Sequence, residues 1–266
     1  VELGLRERTC VVTGGSRGIG RAAALALAAE GAAVLVVGRD EERLTAVRDQ
    51  CRRAGARAAE RLVLDITAPD AGERLAAACP QLLGNPDVLV NNAGTSTAKP
   101  LEELAEEDWQ SQWDLNVMGP MRLMRALVPG MAERGFGRVV NVSSSSGKRP
   151  GQRNVAYSVT KAAELSLSRA FADAYAARGV LVNAVTPGPV GTELWLGRGK
   201  LADQVAAAQG TSREEVLARV AAGVPVGRLA EEEEIAAVIA FLCSARASYV
   251  AGAAWSVDGG AVPVII

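Results

Sequence analysis

The chain contains no histidine in 266 residues. That excludes a histidine general base, a histidine-dependent nucleophilic triad and histidine metal ligands. Proton chemistry must therefore run through Tyr, Lys, Asp, Glu or Cys. Lysine is nearly as scarce: Lys99, Lys148, Lys161 and Lys200 are the only four among 29 basic residues, the rest being arginine. A lysine in such a chain stands out as a candidate for a specific task. The cysteines, Cys10, Cys51, Cys79 and Cys243, lie far apart and form no CxxC pair. They read as buried thiols in a reducing cytoplasm, and no metal site is expected. No uncharged apolar run approaches the ~18 residues of a membrane helix. Charge arrives too early in residues 1–8 for a signal peptide. With 29 basic and 30 acidic residues the net charge is -1, so no nucleic-acid surface is expected.

What is abundant is apolar sequence, 49% of residues, ample for a sizeable core. Short β-branched runs lie at 9–13, 33–37, 61–64, 88–91, 138–142, 180–185 and 254–257. Between them run Ala/Leu-rich segments predicted as helices at 19–30, 41–54, 72–78, 107–133, 156–178 and 231–244. The strand candidates are mostly apolar throughout rather than alternating, which marks a sheet buried on both faces. This alternation predicts an α/β fold: right-handed βαβ units and a doubly wound parallel sheet with helices on both faces. No composition break marks a second domain, so residues 1–266 read as one domain. The irregular stretch 193–227, with helices over 201–209 and 213–222, reads as a mobile cover within it.

Thr13-Gly14-Gly15-Ser16-Arg17-Gly18-Ile19-Gly20 directly follows the first strand and opens the first helix. Glycines let a backbone turn sharply and approach a pyrophosphate, and the helix N-terminus supplies free N–H donors with partial positive charge. In this strand-turn-helix setting the string predicts a Rossmann-type dinucleotide site. The second strand ends at Val37-Gly38-Arg39-Asp40, where such a fold reads the adenosine ribose. Gly38 leaves space, and Arg39, with Arg17 as a second clamp, suits a 2′-phosphate. NADP(H) is therefore the expected cofactor; Asp40 keeps NAD(H) as the alternative. Asp65, closing the third strand ahead of Ile66, is placed to accept from the adenine amino group or to cap the next segment. Asn91-Asn92-Ala93-Gly94 follows the fourth strand and fits either a ligand crevice or an ordinary turn.

Tyr157 and Lys161 are spaced i, i+4 in a predicted helix, so they share one face. A free tyrosine, with a pKa of about 10, is a poor acid-base catalyst near neutrality. An adjacent ammonium favours the phenolate and makes such a side chain a usable proton donor and acceptor without histidine. Taken alone, the pair also fits an exposed helix surface. The other face of this helix, with Val159, Ala163, Leu167, Ala170 and Ala174, is expected to be core. The fifth strand runs into Ser143-Ser144-Ser145-Ser146-Gly147, where a hydroxyl would hydrogen-bond a substrate carbonyl. Chemistry alone does not choose among the four serines.

Taken together, Gly14-xxx-Gly18-x-Gly20, Asn91-Asn92-Ala93-Gly94, Asn116, the serine loop, Tyr157-xxx-Lys161 and Pro187-Gly188 closely resemble the classical short-chain dehydrogenase/reductases. The resemblance covers nearly the whole chain and extends to 3-oxoacyl-(acyl carrier protein) reductases, including Arg178 before Gly179-Val180. It implies about seven strands in the order 3-2-1-4-5-6-7. It also implies hydride transfer between a nicotinamide and a carbonyl or secondary alcohol. The family's spacing selects Ser144, thirteen residues before Tyr157, and yields a tetrad of Asn116, Ser144, Tyr157 and Lys161. Asn116 would hold a water of the proton relay, and Lys161 would bind the nicotinamide ribose. In Pro187-Gly188-Pro189-Val190-Gly191-Thr192, the Val190 backbone and the Thr192 hydroxyl would grip the carboxamide. Gly14, Ser16, Arg17, Gly18, Ile19, Gly20, Arg39, Asp65, Ile66, Asn92, Ala93, Gly94, Tyr157, Lys161, Pro187, Gly188, Val190 and Thr192 form the expected cofactor set. Pro189 and Gly191 depart from the family's usual loop, and the 193–227 cover is longer than in compact members, pointing to a distinct substrate pocket. The substrate is either an acyl thioester or a small ketone, sugar or secondary metabolite. A nucleotide-binding sensor on the same fold is the alternative of another class; the intact tetrad argues against it. Family members commonly form homotetramers; Trp109 and Trp113 on one helix face and the apolar tail 261–266 fit subunit burial, in a tetramer or a dimer, and core packing explains the tryptophans equally well.

Overall fold

In a computed structural model of the chain, residues 2–96 and 98–263 are described. Among them, seven strands form one parallel sheet: β1 (Thr9–Thr13), β2 (Ala33–Gly38), β3 (Ala58–Val63), β4 (Val88–Asn91), β5 (Gly137–Val142), β6 (Val180–Pro187) and β7 (Ala254–Val257). Their order is β3-β2-β1-β4-β5-β6-β7. Cys10 pairs with Val34 on one side and Val88 on the other. Chain order therefore reverses between β1 and β4, the place where open α/β sheets leave a crevice at the strands' carboxyl ends.

Strand alternation divides the apolar residues into two cores. Cys10, Val12, Val34 and Val36 face α1 (Gly18–Ala29), α2 (Glu41–Ala54) and a C-terminal helix over Glu232–Cys243, packing on Leu27, Leu44, Ile235 and Ile239. Val11, Leu35, Val37 and Val139 face the other way. They pack against α3 (Ala71–Leu82), α5 (Gly119–Glu133) and α6 (Val155–Tyr175) through Leu75, Leu123, Leu127 and Ala172. Four further helices complete the set: α4 (Glu106–Trp113), α7 (Glu193–Leu196), α8 (Leu201–Gln209) and α9 (Arg213–Ala222), with Glu232–Cys243 as α10. No helix among the described residues is long and apolar enough to cross a membrane.

Three differences from the expected elements have physical causes. The third strand is Ala58–Val63 rather than 61–64: it is the sheet edge, half-buried, and its register with β2 recruits Ala58, Ala59 and Glu60 despite their helical propensity. The long helix expected over 107–133 is broken by a π-helical turn over Asp114–Met118. There the buried Asn116 amide donates to Gln112 Oε1 and Thr160 Oγ1, at 2.9 and 3.0 Å. The third concerns α6. Its expected core face is not the core: Val159 is 44% exposed, Ala170 and Ala174 are exposed, and only Leu167 packs against the second core. The buried stripe is instead Ala156, Thr160, Lys161, Glu164, Ser168 and Ala172, largely polar. Trp113 is 41% exposed and Trp109 half-buried, so Trp113 is not a core residue. Residues 264–266 of the apolar tail lie outside the described residues, while Val262 is buried and donates its N–H to Asp258.

Candidate active site

At the carboxyl end of β1, Gly14 and Gly18 adopt positive φ, +62° and +58°, which L side chains rarely take. Asn92 braces this turn. Its side-chain amide donates to the Thr13 and Gly14 carbonyls at 3.0 and 3.2 Å, while the Thr13 hydroxyl accepts from the Asn92 and Ala93 N–H groups. Gly14 and Gly20 are required by packing: a Cβ on Gly14 would lie 2.8 Å from Ala93 Cα, and one on Gly20 2.3 Å from Asn92 Nδ2. Gly18 differs, because a Cβ there would meet only Thr192 at 3.6 Å and Glu232 at 3.9 Å within 4 Å. Ser16 sits in the turn; Ile19 packs partly on the first core. Arg17, at the N-cap position of α1, makes no side-chain cap, so the helix end keeps its N–H donors for another partner.

Thr192 faces that turn from β6's exit loop. Gly188 packs tightly on Asp258, where a Cβ would come within 2.9 Å of its Cα. Beyond it, the Pro189 carbonyl accepts from Ala230 and the Gly191 N–H donates to the Ala230 carbonyl, each at 2.9 Å. Because this bridge uses the neighbours of Val190, the Val190 N–H points to the opposite side. Val190 and Thr192 are both buried, and Pro187 closes the strand.

At the tips of β2 and β3, Arg39 lies 3.7 Å from Asp65, and Arg39 is mostly exposed. Asp65 accepts from the Thr67 N–H and hydroxyl, which hold its carboxyl below the ordinary range; Arg39 adds to this. The capping role thus occupies one carboxylate oxygen and leaves the other beside Arg39. Ile66 is buried against Gly119, so its side chain serves packing. Asp40 caps α2 through the Arg43 N–H. Arg43 was not singled out from the sequence. It donates to Glu193 at 2.8 Å, and Arg17 pairs with the same carboxylate at 3.1 Å. Three arginines therefore surround the β2 tip, two of them tied to the first residue of α7.

The fourth group of residues converges from β5, α6 and the π turn. Lys161 Nζ lies 5.8 Å from the Tyr157 ring centroid and donates to the Val142 carbonyl at 2.9 Å. The Ser143 hydroxyl donates back to the Lys161 carbonyl at 2.9 Å, and Asn154 donates to Ser146 at 3.2 Å, so the serine loop is laced to α6. A Cβ on Gly147 would approach the Lys161 carbonyl to 2.9 Å, which shows how close the two segments come. Ser144 is buried, and its hydroxyl accepts from the Ser146 N–H. Gly94 stands between Lys161 and Asn116: its Cβ position is 3.8 Å from Nζ and 3.5 Å from Asn116 Oδ1. That Oδ1 is buried without a hydrogen-bond partner. A pocket of about 210 Å³ opens beside Tyr157, lined by Lys99, Asp108, Gln112 and Asn154, with Lys99 paired to Asp108 at 2.5 Å. The structure thus brings Asn116, Ser144, Tyr157 and Lys161 to one region at the sheet's carboxyl edge.

Sequence reasoning also missed Glu164, whose carboxylate accepts from Lys161 Nζ at 2.8 Å. Its i+3 spacing from Lys161 was a signal in plain view.

Known proteins resemble the chain over nearly its whole length. The family model described as enoyl-(acyl carrier protein) reductase matches residues 14–262. The chain is 36% identical over 256 residues to the short-chain reductase protein NovJ of Streptomyces niveus, covering 96% of this chain and 94% of that protein. It is 34% identical over 260 residues to the 3-oxoacyl-(acyl-carrier-protein) reductase FabG of Thermotoga maritima, covering 97% and 99%. Among solved structures, L-sorbose reductase from Gluconobacter frateurii, complexed with NADPH and L-sorbose, superposes with a TM-score of 0.92 at 34% identity over 100% of both chains. Likeness of this extent covers nearly the whole chain, and the chain belongs to the classical short-chain dehydrogenase/reductase family of oxidoreductases.

Proposed function

We propose that the protein is an NADP(H)-dependent oxidoreductase of a carbonyl/secondary-alcohol pair, working through Tyr157, Lys161, Ser144 and Asn116. The observation that carries this reading is the placement of the Lys161 ammonium 5.8 Å from the Tyr157 ring, beside the serine loop and across from the glycine turn. A dinucleotide fits the residues present. The turn of Gly14, Ser16, Gly18, Ile19 and Gly20 offers backbone N–H groups, and Gly18 leaves open the space toward Thr192. Arg39, with Arg17 and Arg43 close by, would hold a 2′-phosphate; Asp65 would accept from the adenine. Lys161 would bind the nicotinamide ribose, and Val190 and Thr192 the carboxamide. When bound, NADP(H) supplies or takes the hydride.

The protein's own residues do the rest. Tyr157 gives its proton to the substrate oxygen in reduction and takes one in oxidation. The ammonium of Lys161 stabilises the phenolate that forms. Ser144 orients the oxygen and stabilises charge developing on it. The buried, unpartnered Oδ1 of Asn116 needs a donor, and a water there would extend the proton path. The pocket beside Tyr157 sets Lys99, Asp108, Gln112 and Asn154 among the apolar Leu104, Val155 and Ala156, and its polar groups support a small hydroxylated ketone as substrate. Gln204 of α8 accepts from the Ala98 N–H at 3.1 Å, next to the pocket residue Lys99, which supports the 193–227 segment as a cover at the pocket's edge. The exposed Trp113 and Val159 support burial against a second copy in a homo-oligomer.

The test is Tyr157→Phe assayed with a panel of ketones, sugars and 3-oxoacyl thioesters by NADPH absorbance. General acid-base catalysis contributes about 10²–10⁴-fold, so turnover should fall by at least about 10² while NADPH still binds. Retained turnover would sink the tyrosine assignment. Turnover confined to thioesters would replace the hydroxylated-ketone reading.

A further inference from the structure

Lys161 has a partner that the reaction scheme above does not use. Its Nζ donates to the Val142 carbonyl and to Glu164 Oε2, at 2.9 and 2.8 Å. The Lys161 and Glu164 side chains are 3% and 2% exposed. An ammonium has three donors, so this pair of bonds commits two and leaves one, on the side where Gly94 and Asn116 stand. A buried ion pair is seldom the most stabilising choice for a core, since well-packed apolar residues serve as well. Stability alone therefore gives no reason to bury a carboxylate one turn beyond the lysine.

We propose that Glu164 is a positioning residue for this site: it anchors Lys161 Nζ at the end of β5 and keeps it an ammonium where burial would discharge it. The inference rests on the assignment of Lys161 as the partner of Tyr157. Burial opposes the charged form of Lys161, but Glu164 first and Tyr157 second outweigh it and raise the lysine's pKa above its ordinary value. Those two are the titratable groups that act on it. The β5 loop presents Val142 and Ser143, the β4 loop Gly94 and the π turn Asn116, all uncharged. Burial pushes the Glu164 carboxyl above its ordinary range and Lys161 opposes that shift, so the carboxylate depends on the lysine as the lysine does on it.

Without the carboxylate, burial is left to oppose the Lys161 charge, and the ammonium that stabilises the Tyr157 phenolate is lost at a lower pH than in wild type. The basic limb of the pH–rate profile then moves down.

The experiment compares wild type with Glu164→Gln and Glu164→Met, neutral and of similar size, and with Glu164→Asp, which keeps the charge. The profile of ketone reduction by NADPH is expected to lose its basic limb about one pH unit earlier in Gln and Met, with Asp closer to wild type. A loss of equal size at every pH, or a Gln limb unmoved from wild type, overturns the proposal. Melting of the cofactor-free protein is the second readout. In wild type the raised lysine pKa contributes stability that is fully present below the unfolded value and is lost as pH rises through the folded one. In Gln and Met a depressed lysine pKa reverses the sign, so their melting temperatures should climb relative to wild type between about pH 7 and pH 10. Parallel melting curves overturn the proposal even if a variant folds too poorly to assay. Lys161→Met separates the two readings. Retained turnover there overturns the site assignment itself; lost turnover with an unmoved Gln limb overturns only the role of Glu164.

Discussion

Gly18 and Gly20 sit two residues apart in the same turn, yet replacing each by alanine should damage different properties. At Gly20 helix propensity argues for alanine, which gains about 1 kcal/mol in a helix interior. Packing argues against it more strongly. The new Cβ would lie 2.3 Å from both Asn92 Nδ2 and the Gly14 carbonyl oxygen. Neither retreats freely, because Asn92 Nδ2 is bound to the Thr13 and Gly14 carbonyls. Overpacking costs about 1–3 kcal/mol, and each disrupted hydrogen bond adds about 1 kcal/mol. After the helix-propensity gain, a net loss of about 3 kcal/mol remains, or roughly 6–12 °C in melting temperature for a chain of this size. At Gly18 the same methyl meets nothing closer than Thr192 at 3.6 Å. The cost there is the left-handed backbone, roughly 1–2 kcal/mol, but the methyl stands in the gap through which an anionic ligand reaches the start of α1. Gly18→Ala should therefore melt only a few degrees below wild type while weakening NADPH by about tenfold or more, equivalent to about 1.4 kcal/mol or more. Differential scanning fluorimetry with and without NADPH, plus a fluorescence titration, separates the two. Wild-type melting in Gly20→Ala, or wild-type NADPH affinity in Gly18→Ala, would refute the reasoning.

Other outcomes follow from the charges around the β2 tip and from the thiols. Arg39→Ala should weaken NADPH much more than NADH in paired titrations; equal losses would mean that Arg39 does not read the 2′-phosphate. Glu193 occupies Arg17 and Arg43, which hold its carboxyl below the ordinary range, with Arg43 the larger cause. Glu193→Gln should free both arginines and tighten NADPH by a few-fold, with NADH unchanged, a modest effect because the pairs are exposed and screened. A matching change for NADH would assign Glu193 to the cover alone. Burial pushes the Cys51 thiol up to about 11 and Cys79 up to about 12, and all four cysteines are buried and free. Native protein should therefore react with a thiol reagent only after unfolding; fast labelling in buffer near pH 8 would contradict this.

The sheet was legible because its signal is local and redundant. β1 and β4 match the expected runs, since a strand buried on both faces is mostly apolar and ends where polar or glycine residues begin; β7 matches as well, although it is a sheet edge with Trp255 and Ser256 exposed. β3 was less legible, because an edge strand half in solvent tolerates Ala58, Ala59 and Glu60 and takes its extent from pairing with β2. The π turn at Asn116 was invisible for another reason: no residue type demands one. Its side-chain bonds run partly along the same helix to Gln112 and partly across to Thr160, 44 residues away. In the site, Tyr157, Lys161 and the glycine turn were readable from spacing. Asn92 was readable as a loop residue but not as the brace of the glycine turn, because that bond spans 79 residues to Thr13. Arg43 escaped because its partner, Glu193, lies 150 residues on.

The reversed face of α6 is the instructive case. Periodicity placed the core along Val159, Ala163, Leu167, Ala170 and Ala174, on the ordinary premise that apolar residues turn inward. The structure turns Lys161, Glu164 and Ser168 inward instead. Burying them is tolerable because partners wait on the sheet: Val142 accepts from Lys161, and Asn141 donates to Ser168 at 2.6 Å and accepts from Asn91 at 2.8 Å. The helix thus spends its inner face on the polar groups of the site. Its outer face carries Val159, 44% exposed, with Ala162, Ala170 and Ala174 and the exposed Arg169–Asp173 pair, and α4 packs beside it with Trp113 at 41%. A helix that buries polar groups at its start and leaves Val159 exposed near Trp113 suits a position between an active site and a second copy of the chain. On the proposal of a homo-oligomer the pattern that misplaced the core and the exposure of Trp113 have one cause, and light scattering that finds a monomer would refute it.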